Sequence, residues 1–292
     1  MSASVAILLA ETRPIEQLIT QYPPGGRAIS PKLHAPKLPI INVLTAPTTA
    51  QNRAGAALKE SASGQRMEFF DPKTRPRAIF WDAEALLTAP VSLAPNTAAA
   101  VYWRALMNMG MVDNVNPLVQ GERLQAWRLA SNALPRVKEP ANAEPRIALC
   151  AAAFLQNREE DEGRRLHDAH WVSRVVYALG ASTFHLCETV GQGEAYAALT
   201  GPAMRRFGER NPQAVMAMGQ ALDADGTSEA VASAIESVFS KLGFATRLRD
   251  LNVPQAMLRN ILHHALQNFN ADANREFLKE VPLLEQVLDA AW

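Results

Sequence analysis

The residues best suited to chemistry lie between positions 164 and 202 of this 292-residue chain, a stretch that holds three of its six histidines. His167 and His170 stand three residues apart with Asp168 between them, a spacing that places both imidazoles on one helix face. Such a pair could form half of a metal site, or a general base with an orienting carboxylate. Because no third ligand is obvious in the sequence, we favour a solvated or helix-capping pair.

A second group of reactive side chains follows at His185, Cys187 and Glu188. A cysteine next to a histidine can act as a nucleophile. Two residues that are two positions apart on a helix point in different directions, so we favour packing roles for His185 and Cys187. Tyr177 and Glu188 are the stronger candidates, because a phenol and a carboxylate in a cleft could bind or polarise a small ligand without a metal.

The composition is that of a globular protein, with 48% hydrophobic and 20% charged residues. Basic and acidic residues both number 29, so the net charge is zero, which gives no support to a nucleic-acid partner. No apolar run approaches the roughly 18 residues of a membrane span. The two cysteines, Cys150 and Cys187, fit neither a disulfide framework nor a zinc pattern. We therefore expect a cytoplasmic protein that binds neither nucleic acid nor membrane.

The first 82 residues predict a remnant α/β segment. Apolar residues recur at helical spacing over 1–22 and predict one short amphipathic helix. A connector rich in proline and glycine follows at 22–37. Three apolar runs then predict strands of a small sheet or hairpin, the first of them buried: 39–44, 67–70 and 78–81.

Residues 83–292 predict a helical domain, because almost every later segment has helical periodicity. Thr227 or Ser228 can cap a helix that Gly243 ends, and Pro254 lies in the first turn of another. The last predicted helix spans 281–290. The predicted fold is therefore mainly α, a helical bundle with a small β-containing N-terminal part.

Several short motifs occur in the order in which one enzyme family carries them. They are PTTA at 47–50, the segment from Asp71 to Asp82, ALPRV at 133–137, Gly193-Glu194-Ala195, GFATRLRDLN at 243–252 with Val253-Pro254, Asn270-Ala271-Asp272, and the ending LDAAW at 288–292. This collinear set spans about 37–292 and resembles the iron-containing alcohol dehydrogenases, most closely their maleylacetate reductase branch.

The resemblance implies a C-terminal helical domain that holds a divalent metal and an N-terminal α/β domain that binds a dinucleotide. The glycine-rich phosphate loop of that family would fall at Met1–Ser4. A dinucleotide site needs a strand, a glycine turn and a helix N-terminus, and the only glycine pair here, Gly25-Gly26, lies between prolines. After PTTA, Gln51-Asn52-Arg53 replaces the small residues of the family. We therefore expect no nicotinamide cofactor on this chain alone.

The metal-binding half also departs from the family, which uses one aspartate and three histidines. The positions that align with these four ligands hold, in chain order, Trp103, Met107, Ser173 and Gln192. Glu188 replaces Gln192 if the extra residues near 182–190 are placed differently, and Tyr177 aligns with a further histidine that faces the substrate. A divalent ion needs anionic or imidazole donors, so this set predicts no metal.

Two hypotheses follow from these departures. In the first, the chain is a degenerate dehydrogenase-like protein that transfers no hydride. It serves as a structural or accessory subunit, with another copy or a different subunit covering its exposed apolar surface. The resembled reductases act in the degradation of aromatic compounds, which suggests that setting for the complex.

In the second hypothesis the old cleft binds a small molecule and catalyses a metal-free hydrolysis, hydration or decarboxylation. The acid and base would come from Tyr177, Glu188, His185 and His170. An open cleft favours this enzyme, whereas a cleft plugged by Trp103 and Met107 favours the accessory subunit. A reductase completed by a partner chain ranks lowest.

Overall fold

The computed structural model describes residues 2–23, 29–60, 66–90, 92–111, 115–161, 169–268 and 270–292. Strands occur only before position 81 of this part, and helices make up nearly everything after it. The helices are α1 (Ser2–Ala10), α2 (Ala83–Leu87), α3 (Leu93–Met109), α4 (Pro117–Ala133), α5 (Glu144–Asp161), α6 (Trp171–Leu186), α7 (Gln192–Phe207), α8 (Pro212–Ala221), α9 (Ser228–Lys241), α10 (Leu258–Ala265) and α11 (Val281–Ala291). The strands are β1 (Ile41–Val43), β2 (Gly55–Lys59), β3 (Arg66–Phe70) and β4 (Ala78–Phe80).

The N-terminal helix is shorter than the sequence predicts. It ends at Ala10, because Pro14 cannot continue a helix, and the chain resumes as a single 3-10 turn at Ile15–Gln17. Nor is the helix amphipathic, since it is apolar on all sides. Its inner side buries Ile7 against Phe69 of β3, while Leu9 remains exposed.

The four strands form two separate pairs. β1 and β4 run parallel, and β2 and β3 form an antiparallel hairpin. The strands predicted at 67–70 and 78–81 exist, but they do not pair with each other. The sequence of β2, GAALK, lacks the β-branched and aromatic residues that mark strands, which is why it was not predicted.

The prediction that the first strand is buried is wrong on one face. Asn42 and Ile79 face α5, where Ile79 packs near Cys150 and Asn42 donates a hydrogen bond to the Gln51 carbonyl at 2.9 Å. The alternate residues, which include Val43, point the other way and are exposed. The chain thus anchors this small sheet to the helices through one face only.

A buried ion cluster holds the N-terminal segments together. The side chain of Lys37 is inaccessible to solvent, and its ammonium lies 2.8 Å from Glu11 and 3.2 Å from Asp71. Burial alone would raise the pKa of Asp71. Hydrogen bonds from the backbone and side chain of Lys73 and from Lys37 outweigh that effect, and the pKa lies below its usual value. The cluster joins the end of α1, the connector and the turn after β3.

The helical part is organised around α7, which packs against α3, α6, α9 and α11. Local signals fix both ends of α9 as predicted, whereas Pro254, expected in the first turn of a helix, precedes a 3-10 turn at Gln255–Met257 and lies outside α10. The Thr227 hydroxyl accepts the Ala230 N–H at the start of α9, and Gly243 takes a φ of +82° just after it.

A buried ion pair joins α6 to the C-terminal segment. The Arg174 guanidinium lies 3.1 Å from Asp272 and donates to the Ala271 carbonyl at 2.7 Å. Asp272 also accepts the backbone N–H groups of Glu276 and Phe277. This network gives a structural role to the Asn270-Ala271-Asp272 motif.

Candidate functional site

Two of the four side chains that the resemblance places at a metal site, Trp103 and Gln192, both contact Tyr196 of α7. Trp103 and Met107 of α3 are both buried. The Trp103 ring lies against that of Tyr196 on α7, with 4.0 Å between ring centroids and 32° between planes. Gly180 of α6 makes room for the tyrosine, because a Cβ there would lie 2.6 Å from its ring.

Polar groups surround the hydroxyl of Tyr196. It accepts a hydrogen bond from the Gln192 amide at 2.8 Å. Burial raises the pKa of this phenol, and the nearby phenol of Tyr177 raises it further. Gln192, Arg104 and Arg53 act in the opposite direction. Tyr177 and Gln192 are half-buried, so they form the accessible rim of this aromatic core.

Sequence reasoning did not identify Tyr196 as part of the site. The available signal was its position, one helical turn after Gln192 and therefore on the same face of α7.

His170 is a structural cap for α6. Its Nδ1 accepts the Ser173 N–H at 3.3 Å, which leaves Nε2 as the nitrogen that donates to the Met107 carbonyl, 3.0 Å away. Burial lowers the pKa of His170 to about 4, so the ring is neutral near neutral pH. Both ring nitrogens are used in hydrogen bonds, so in this geometry the ring has no lone pair left to accept a proton from a substrate. His167 and Asp168 lie outside the described residues.

The structure does not bring the four proposed acid–base residues together. His170 and His185 lie at opposite ends of α6, about 22 Å apart at 1.5 Å per residue. The Glu188 side chain is 82% exposed and forms an ion pair with Lys59 at 3.1 Å. His185 lies eight residues along α6 from Tyr177, about 12 Å at 1.5 Å per residue. His170 and His185 therefore cannot serve one substrate together.

A histidine cluster that sequence reasoning missed lies at the far end of α6. The rings of His185 and His264 are 6.1 Å apart, and His264 Nδ1 lies 2.9 Å from the Ser182 hydroxyl. That hydroxyl donates to the Ala178 carbonyl, so His264 donates to the serine. A serine that already donates to its own helix is not a nucleophile activated by this histidine.

The residues at the aligned ligand positions do not fit a divalent metal. An indole, a thioether, a hydroxyl and an amide supply neither a carboxylate nor an imidazole. Within the described ranges, no group of three or more His, Cys, Asp or Glu side chains could hold a metal ion. Ser173 is buried, and its neighbours are the His170 cap and the core of α6.

The loop after PTTA does not fit a dinucleotide either, because its side chains are committed to α5 and its surroundings. The Gln51 side chain is buried. Its carbonyl oxygen accepts a hydrogen bond from the Trp81 indole N–H at 2.8 Å, and its amide group donates a hydrogen bond to the Cys150 carbonyl at 2.7 Å. Arg53 donates to the Thr49 carbonyl at 3.2 Å and to Asn157 at 3.3 Å. Ser4, at the end of the expected phosphate loop, is buried within α1.

No protein-family model matches this sequence, and no curated protein sequence matches it. Solved structures do match the fold. A 1,3-propanediol oxidoreductase superposes with a TM-score of 0.78 at 18% identity, covering 99% of this chain and 73% of that one. The NADH-dependent butanol dehydrogenase A of Thermotoga maritima gives 0.76 at 16% identity, with 99% and 72% covered.

The maleylacetate reductase of Rhizobium sp. strain MTP-10005 superposes with a TM-score of 0.64 at 18% identity, covering 87% of this chain and 67% of that one. These likenesses confirm the fold that the resemblance implied, that of the iron-containing alcohol dehydrogenases, in a shorter chain. Among the described residues no helix is long and apolar enough to cross a membrane.

Proposed function

We propose that this protein is a dehydrogenase-like accessory subunit that transfers no hydride itself. The observation that supports the proposal most strongly is the packing of Trp103 on Tyr196, at a ring separation of 4.0 Å, where the resemblance places the metal. The donors needed for a metal are replaced, and aromatic atoms occupy the space in which they would converge. The protein then contributes a folded surface to a complex.

Binding a metal ion at this point would destabilise the folded protein. A metal at this point would have to displace a buried indole and leave the Met107 side chain beside a charged ion. Aromatic pairs of this kind contribute about 0.5–1.5 kcal/mol beyond the area they bury. The residues that stand in place of the metal ligands therefore also stabilise the metal-free form of the protein.

The direct test is metal analysis together with a hydride-transfer assay on the protein purified from its own host. After incubation with Fe²⁺ or Zn²⁺ and dialysis, we expect far less than the one ion per chain of a specific site. We also expect no oxidation of NADH or NADPH with aldehyde or maleylacetate-type acceptors. A solved relative such as the butanol dehydrogenase, treated in parallel, provides the positive control.

One bound metal ion per chain together with cofactor oxidation would overturn the proposal. Activity that appears only when a second polypeptide is present would instead support a reductase completed by a partner chain. The setting in aromatic-compound degradation rests on the maleylacetate reductases among the structural neighbours. Native mass spectrometry of the complex from the host would identify the partner and so test that setting.

A second candidate function is a metal-free enzyme, which the rim of the aromatic core favours. Burial and the half-buried phenol of Tyr177 raise the pKa of Tyr196, while Arg104 and Arg53 act to lower it, so two cations lie within electrostatic range of this rim. A small anionic molecule would suit such a rim. Binding should then be lost in Tyr177→Phe and kept in His185→Asn, and failure of a small-anion library to bind the wild type would exclude this function.

A further inference from the structure

The connection between α8 and α9 contains a sequence that can rearrange its own backbone. Residues 222–227 read LDADGT, and Asp225-Gly226 is the only place in the sequence where an aspartate or an asparagine precedes a glycine. The carboxyl group of an aspartate can be attacked by the backbone nitrogen of the residue that follows it. A following glycine favours this ring closure, because it has no Cβ to obstruct the attack and its backbone rotates more freely.

The structure leaves this pair of residues accessible to the reaction. Asp225 and Gly226 are both exposed, and they lie in the irregular segment between α8 and α9. Within the described ranges, neither the Asp225 carboxylate nor the Gly226 N–H takes part in a hydrogen bond or an ion pair. The exposed Asp289 differs, because it lies within α11, where helical hydrogen bonds hold the backbone that follows it.

We propose that Asp225 is a site of isoaspartate formation in the folded protein, whatever its proposed function. The Gly226 nitrogen attacks the side-chain carbon of the protonated Asp225 carboxyl group. A C–N bond forms, the C–OH bond breaks, and the hydroxyl group leaves with the amide proton as water, which gives a cyclic imide. Water then opens the ring. Attack at the main-chain carbonyl breaks its bond to nitrogen and leaves the chain running through the side-chain carbon, which is isoaspartate, whereas attack at the other carbonyl restores aspartate.

The rearranged residue would disturb the start of α9, because isoaspartate adds one methylene group to the main chain. The chain is anchored on both sides of this point. Before it, the Ala224 N–H donates to the Gly219 carbonyl at 2.9 Å, and after it the Thr227 hydroxyl caps α9. There is little slack between these anchors, since a Cβ on Gly226 would lie 3.1 Å from the Met216 Cα. The added group therefore has to displace one of the two anchors.

The consequence extends to the core of the helical part. α9 packs against α7 and buries Val231, Ile235 and Phe239. Loss of the Thr227 cap leaves a backbone N–H of the first turn without its acceptor and destabilises the helix. We therefore expect protein that carries isoaspartate at position 225 to unfold at a lower temperature than fresh protein.

Prolonged incubation of the purified protein in neutral buffer, followed by peptide mass spectrometry, tests the inference. Loss of one water identifies the cyclic imide, and electron-transfer fragmentation distinguishes isoaspartate from aspartate. Isoaspartate should accumulate at Asp225 several times faster than at Asp223 and Asp250, which are also exposed but precede alanine and leucine. Labelling of the new carboxylate by a protein isoaspartyl methyltransferase with S-adenosylmethionine gives a second readout.

Two variants that circular dichroism shows to be folded complete the test. Asp225→Glu keeps the charge but needs a larger ring, so it should form no imide and keep its melting temperature during the incubation. Asp225→Asn reacts by the same route with ammonia as the leaving group, so it should rearrange faster than the wild type. An intact Asp225→Asn, or no more isoaspartate at Asp225 than at Asp223, would overturn the inference, because the folded backbone would then prevent ring closure. An equal loss of melting temperature in the wild type and Asp225→Glu would overturn the expected effect on α9.

Discussion

Acid should destabilise this protein through His170, whose buried ring caps α6. The folded protein lowers the pKa of this histidine from 6.5 to about 4, because burial disfavours the charged ring. Protonation would also remove the lone pair that accepts the Ser173 N–H. The unfolded chain therefore binds a proton at this histidine more readily than the folded protein does. The folded state consequently becomes less stable as the pH falls.

The sign and the size of the effect follow from that difference. Since the folded pKa lies below the unfolded value, the contribution is fully present above about pH 7 and is lost as the pH falls from 6.5 towards 4. The fall in the pKa of His170 from 6.5 to about 4, at about 1.36 kcal/mol for each tenfold change in proton affinity, corresponds to about 3 kcal/mol. Other titrating groups add to the total acid dependence, so a variant is needed to isolate this one.

His170→Asn is the appropriate variant, because asparagine is a favoured helix cap and does not titrate. Its side-chain oxygen can accept the Ser173 N–H, while the bond to the Met107 carbonyl is lost at a cost of about 1–3 kcal/mol near neutral pH. Urea unfolding followed by circular dichroism would be measured from pH 7.5 to 4.5. The gap in unfolding free energy between wild type and variant should shrink as the pH falls.

His34→Asn is the matched control, because His34 is exposed. Its unfolding free energy should run parallel to that of the wild type over the whole range. If the wild type and His170→Asn also stay parallel, then the pKa of His170 is not lowered in the folded protein and the reasoning fails.

Two further substitutions test the packing of the core and of the N-terminal part. Gly180→Ala should destabilise the protein by about 1–3 kcal/mol, because the new methyl group meets the Tyr196 ring. Gly121→Ala in α4 adds a methyl group that meets nothing within 4 Å, so it should stabilise the protein by roughly 0.5–1 kcal/mol. If both glycine substitutions changed the stability in the same direction, this account would be contradicted. Lys37→Met should lower the free energy of unfolding by about 3–5 kcal/mol, because Glu11 and Asp71 lose their buried cation. Lys32→Met, at an exposed lysine, should leave the stability nearly unchanged. Thermal melts of both variants measure the difference.

The sequence predicts the helical part well because its signals are local. Helical periodicity and caps depend on residues within one or two turns, and Thr227 and Gly243 act where they were predicted to act. Strand pairing depends on distant residues. The partner of β1 could not be predicted, nor could the exposure of Val43, because an apolar run does not specify what will cover it.

The candidate site shows the same division. The resemblance identified positions on three helices, and the structure links two of them, Trp103 and Gln192, through Tyr196. The contact of Trp103 with Tyr196 depends on the small size of Gly180. To predict such a contact, one must know how α6 and α7 cross. The separation of two acid and base candidates has a simpler origin, since one helix keeps His170 and His185 far apart.

The parallel pairing of β1 with β4 also has a consequence for how the chain folds. Ile41 must find Ala78 across a long intervening segment, whereas α4 and α5, or α6 and α7, meet as neighbours in sequence. Closing a long loop costs entropy before any contact compensates for it, so local helical contacts have the kinetic advantage. The small sheet therefore has to dock on a surface that α5 already offers. On this account the helices serve as a template, and the N-terminal part is the last region to become native and the first to open.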